Sequence, residues 1–236
     1  MLNTMKDIKK KQKYLFVGYI ILSSILCATI LFTVEQILMV DYLTKTVSKV
    51  ILFTICPLIL IKGLMKTTLR EGLNIELVDR KTLGLGIALG AFAVAILFGT
   101  FMFLRRYIDM PAIALDLSNK SKVTAGNYLF VGGYLTIVNS FLEEFFFRGY
   151  IFINIYKCGF KKLAYIFSSA LFALYHIGIF KSWFNMELII LCLLGLFITG
   201  VVLSYVDTKS HNFLNSWVTH IMANIAIVFI GYKFLF

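Results

Sequence analysis

Seven stretches of this chain are apolar over roughly the 20 residues that a helix needs to cross the hydrocarbon core of a bilayer. They run over 14–33, 48–65, 82–104, 128–156, 162–180, 186–206 and 213–235. The second is short and the fourth long, so the count of seven is bounded by six and eight. That repeated length decides the fold class before any motif is read: an all-α, polytopic transmembrane helix bundle.

Composition agrees. Hydrophobic residues make up 60% of the 236, charged residues 15%, and the mean hydropathy is +0.87. Soluble domains average about 45–50% apolar and about 25% charged, so this chain departs in both directions. With only two prolines, no low-complexity tract and no internal repeat, it reads as a single integral membrane domain over 1–236. The four cysteines, Cys27, Cys56, Cys158 and Cys192, are scattered and have neither disulfide nor thiolate-metal spacing.

The net charge of +11 does not imply nucleic acid. In a membrane protein the Lys/Arg excess sits in loops facing the cytoplasm and its anionic leaflet, so the expected surroundings are the lipid bilayer. With the N-terminus inside, the inner segments hold 14 Lys and Arg and the outer ones 8, Lys45 and Lys49 among the latter. That bias predicts a multi-pass cell-membrane protein with a cytoplasmic N-terminus. The opening "MKDIKKKQK" has the basic character of a signal peptide, but its apolar run is too long and no cleavage site follows, so an uncleaved anchor is expected. The loop 66–81, "KTTLREGLNIELVDRK", reads as a solvated loop, with an amphipathic surface segment as the alternative.

Against this background "FLEEFFFRGYIF" stands out, because Glu143, Glu144 and Arg148 fall inside the fourth span. Charges at that depth cost roughly 2.5–3.5 kcal/mol each on insertion scales. The later spans add His176, His220 and Asn224, while His211 lies in a predicted loop and carries no expected role. Glu144 and Arg148 are four apart and share a helix face, so they can pair. Glu143 is turned about 100° away and points elsewhere. Measured from the inner end of each span, Glu143 lies roughly 20 Å deep, His176 roughly 21 Å, Asn224 roughly 16 Å and His220 roughly 10 Å.

Each of these residues alone has a structural explanation: a packing ion pair, or interhelical hydrogen bonds. Together, a surplus carboxylate, two imidazoles and an amide on three helices are the groups needed to activate water and stabilise an oxyanion. Glu143, His176 and His220 would equally make a two-His, one-carboxylate zinc set, although no H-E-x-x-H is present. The metal-free form is the expectation, with no cofactor.

Three motifs carry a family resemblance. "EEFFFR" (Glu143 to Arg148) resembles the E-E-x-x-x-R motif of the CAAX-protease and bacteriocin-processing (Abi, CPBP) membrane family. "FALYH" (Phe172 to His176) is similar to its F-x-x-x-H motif and "HIMAN" (His220 to Asn224) to its H-x-x-x-N motif. They occur in the family's order, within a motif-bearing core at 127–236. The resemblance implies an intramembrane glutamate-type endopeptidase acting on a membrane-associated peptide or protein. Glu143 and His176 would then activate water, His220 and Asn224 would form the oxyanion hole, and Glu144, Arg148 and Phe172 would support them. It also implies an alternative, since bacterial relatives include bacteriocin-immunity and scaffold proteins without catalysis. A Lys/Ile/Phe-rich, alanine-poor composition points to a low-GC Gram-positive bacterium.

Overall fold

The computed structural model describes residues 10–38, 40–65, 80–210 and 212–235. The predicted loop segment 66–79 and His211 lie outside the described residues. Among those described there are helices and no strands. In chain order they are α1 (Lys10–Gln36), α2 (42–65), α3 (Arg80–Leu104), α4 (Met110–Ser121), α5 (128–157), α6 (Lys161–Tyr175), α7 (Met186–Ser210) and α8 (Leu214–Phe234). A short helix Ile177–Phe180 follows α6.

Among the described residues six helices are long and apolar enough to cross a membrane: Gln12–Gln36, Leu43–Gly63, Leu83–Tyr107, Lys161–Phe180, Met186–Ser210 and Leu214–Phe234. The seventh span read from sequence is α5, the run that carries the three charges. Its side chains from Leu142 to Ile155 are nearly all buried within the bundle. The outward surface is apolar instead: Leu22 is 67% exposed, Phe92 65%, Phe103 79% and Phe130 82%. Water would not tolerate so continuous an apolar surface, whereas lipid does.

The segments between the spans hold one helix that the sequence reading did not describe and one earlier helix start. The residues after the third span fold into α4, whose first turn is capped by Asp109, accepting from the Ala112 N–H at 3.0 Å, with Pro111 in the first turn; Pro fits there because that N–H has no helical partner. The second helix starts earlier than expected, at Tyr42, where the Asp41 carboxylate caps the Leu43 and Thr44 N–H groups. Lys49, counted with the outer-segment charges, therefore lies within the helix and not at its edge.

The core lies where α1, α2, α5 and α6 meet, around Ile20, Leu31, Phe53, Phe146, Phe147 and Phe172. Phe53 of α2 stacks on Phe146 of α5 at 4.1 Å between ring centroids, and Phe147 meets Phe172 of α6 edge-on at 5.3 Å. These rings lock α5 against its neighbours, and offset or edge-on aromatic pairs add about 0.5–1.5 kcal/mol each beyond the area they bury. The return from α5 into α6 is made at Gly159, whose φ of +94° suits a residue without Cβ. At Gly200 of α7 a Cβ would lie 3.0 Å from the Ser169 Cα, so α6 and α7 touch through small residues, as helices in lipid commonly do.

Candidate active site

Helix α5 is not a regular α-helix. Its turns widen to i→i+5 bonding over Leu135–Asn139 and Phe145–Phe152, with five regular residues, Ser140–Glu144, between them. Wide turns of this kind occur often at functional sites, because they re-aim side chains that a regular helix would stack. Here they flank the adjacent acids Glu143 and Glu144, which face different partners.

Glu144 and Arg148 are both fully buried, with Arg148 Nε 3.2 Å from Glu144 Oε2. The guanidinium also lies over the Phe172 ring, 4.2 Å from its centroid. Glu144 Oε1 is 2.7 Å from Nδ1 of His220 on α8. Since the carboxylate can only accept, Nδ1 carries the proton and the ring is oriented by it. Phe172 thus underlies Arg148, and its ring meets that of His176 edge-to-face at 4.7 Å.

Glu143, 3% exposed, divides its two oxygens. Oε1 accepts from Lys49 Nζ at 2.7 Å and from Asn139 Nδ2 at 2.9 Å. Oε2 faces His176 Nε2 at 3.8 Å and His220 Nε2 at 3.9 Å. His176 caps the end of α6, where its Nδ1 is 2.7 Å from the Phe172 carbonyl oxygen. That carbonyl fixes the proton on Nδ1 and leaves the Nε2 lone pair turned toward Glu143 Oε2. Two acceptors 3.8 Å apart cannot bond directly but can share one water, which donates a proton to each.

The structure therefore brings Glu143, His176 and His220 to one point and pairs Glu144 with both Arg148 and His220. Asn224, one turn beyond His220, donates to the Leu135 carbonyl of α5 at 3.2 Å. Both α8 residues thus face α5, but Asn224 is held at the wide turn below the acids. Among the described residues no group of three or more His, Cys, Asp or Glu is already set as a metal cluster, the Glu143, His176 and His220 set of the zinc alternative included. The oxygen of Glu143 not facing the imidazoles is taken by the Lys49 ammonium.

Three contributors were missed from sequence. Lys49, at the edge of the second span, was counted with the outer-segment charges, yet it is 5% exposed and bonds Glu143. Asn139 precedes Glu143 by four residues, a helical spacing that could have revealed it. Asp207 near the end of α7 is 2% exposed, with Glu144 and Arg148 as its charged neighbours. It reads in sequence as a span-end residue beside Lys209.

Comparison with known proteins finds two similarities that include this site. A model described as type II CAAX prenyl endopeptidase Rce1-like matches residues 125–226, which include Glu143, His176, His220 and Asn224 but not Lys49. The UPF0177 protein YxdF of Lactococcus lactis subsp. lactis is 36% identical over 91 residues, covering 39% of this chain and 44% of that protein. The chain thus matches less than half the length of this curated relative. No solved structure matches it significantly. Over residues 125–226 the chain is therefore similar to type II CAAX prenyl endopeptidase Rce1-like proteins.

Proposed function

We propose that the protein is an intramembrane glutamate-type endopeptidase that hydrolyses a peptide bond of a membrane-associated peptide or protein. The observation that carries this reading is the aim of Glu143 Oε2, held between the Nε2 atoms of His176 and His220 at 3.8 and 3.9 Å. A water bridging Oε2 and His176 Nε2 gives one proton to the carboxylate as its oxygen attacks the peptide carbonyl. The new C–O bond forms as the carbonyl π pair moves onto oxygen. His220, with the Glu144 carboxylate at Nδ1, can carry a second proton on Nε2 and donate it as a hydrogen bond to that oxyanion, and Asn224 has a second amide hydrogen to offer. Collapse of the intermediate expels the amine, which takes the proton from Glu143. This scheme uses no metal, and the Lys49 ammonium supplies the positive charge beside Glu143. The Lys/Arg bias of the loops supports a cytoplasmic N-terminus.

A second reading is favoured by one observation. The ammonium on Glu143 is also what a purely structural ion pair would look like, as in a non-catalytic immunity or scaffold protein of the same family. The test compares peptide ends in membranes carrying wild type or Glu143→Gln at matched folded amounts. New ends found only with wild type establish proteolysis and identify the substrate. Coincident profiles alongside a retained cellular phenotype select the second reading.

A further inference from the structure

We infer that Lys49 of α2, outside the 125–226 family match, is a positioning residue that selects which oxygen of Glu143 does the chemistry; this rests on the peptidase reading above. Lys49 Nζ bonds Glu143 Oε1 at 2.7 Å and Asn139 Oδ1 at 2.5 Å, and lies 4.9 Å from the centre of the Tyr175 ring. Asn139 closes the triangle by donating to the same Oε1 at 2.9 Å. With two donors on Oε1, the carboxylate cannot rotate, and Oε2 stays turned toward the two imidazoles.

The position is built, not incidental. The Lys49 side chain is 7% exposed and that of Glu143 4%. Phe53, one turn along α2 from Lys49, is fully buried and stacked on Phe146 of α5, which fixes α2 against the acid-bearing helix. The Asp41 cap sets where α2 begins. Glu35 of α1 brings a second carboxyl group near the ammonium. An isolated carboxylate inside a bundle neutralises rather than stay charged. The α1–α2 hairpin therefore makes the ionised form tenable and orients it, so the active centre is completed by helices that carry none of the family's motifs.

The test first identifies the scissile bond from wild-type and Glu143→Gln membranes, then measures kcat and KM on a peptide spanning it. Purified wild type, Lys49→Met and Asn139→Ala are compared in lipid vesicles at equal folded amounts. The expected result for Lys49→Met is a kcat lower by on the order of 10- to 100-fold, the scale of an ångström-level misplacement, with KM within about twofold. Asn139→Ala, which removes one donor and leaves the charge pair, should lower kcat less, again without moving KM. It decides the matter if Lys49→Met does not accumulate. A wild type that cleaves, with variants that match its kcat, overturns the positioning role alone. A wild type that generates no new ends overturns the peptidase reading, and the positioning role with it.

Discussion

Replacing Arg148 with methionine tests whether the buried charges are arranged as pairs. In the native bundle Arg148 is fully buried. It pairs with Glu144 at 3.2 Å, lies over Phe172 and is a cationic neighbour of Asp207. Methionine fills much of the stem volume, so the main loss is electrostatic. Removing one partner of a buried pair costs about 3–5 kcal/mol, because the other charge is left uncompensated. Loss of the guanidinium–ring contact adds about 0.5–2 kcal/mol, while the retained His220 contact on Glu144 offsets part of the total. A net loss of about 3–5 kcal/mol follows. At about 2–4 °C per kcal/mol for a domain of this size, Arg148→Met should melt roughly 6–20 °C below wild type. The assay is thermal unfolding in detergent micelles, followed by loss of the monodisperse peak. Glu144→Gln on the Arg148→Met background should recover part of the loss, since it removes the stranded carboxylate. An Arg148→Met protein that melts within about 2 °C of wild type would refute the pairing argument.

Other outcomes follow from the same geometry. Glu143→Gln should abolish product formation, and it should also cost about 1–3 kcal/mol, because the amide oxygen still accepts from Lys49 but no longer balances its charge; activity must therefore be compared at equal folded amounts. Gly200→Ala, whose Cβ would press on the Ser169 backbone, should lower stability by about 1–3 kcal/mol. Gly99→Ala, with open space at that point, should be neutral or stabilising by up to about 1 kcal/mol in the same melt. At Asp116, outside the spans, burial raises the carboxyl, but hydrogen bonds from Lys120, Trp183 and Ser182 outweigh it and hold the group below its ordinary value. The folded value being the lower one, this stabilisation is present above the unfolded value of about 3.9 and is lost as pH falls through the folded value. Trp183 donates to Asp116 at 2.8 Å. In a Trp217→Phe background its fluorescence melt should therefore show wild type ahead of Asp116→Asn by up to about 1 kcal/mol above pH ~4. The difference should shrink below that pH.

Much of the architecture was legible in the residues because the bilayer imposes a length on every crossing segment. The membrane-crossing helices could be located from run length, and the Glu144–Arg148 pair from a spacing of four. The motif residues were legible for a related reason: polar groups are so costly in hydrocarbon that their presence in an apolar run is itself the signal. What stayed hidden were residues at the edges of runs. Lys49 and Asp207 sit where span and loop compositions overlap, and nothing local separates a buried lysine from a solvated one. Helix α4 was hidden likewise, since its segment mixes polar and apolar residues.

The sequence by itself determined that this chain is a membrane-embedded helix bundle and that Glu143 and His176 lie at similar depth, because depth is one-dimensional and follows from counting residues along a helix; the same count left His220 roughly 10 Å short of the acids that it meets. Only the tertiary structure decided how those groups are shared. It set His220 between the two acids, turned one oxygen of Glu143 toward the imidazoles, and brought Lys49 onto the other from 94 residues away. Rotation about each helix axis and contact across the bundle depend on packing, here on the wide turns of α5 and the stacked phenylalanines, and no local pattern of residues encodes either.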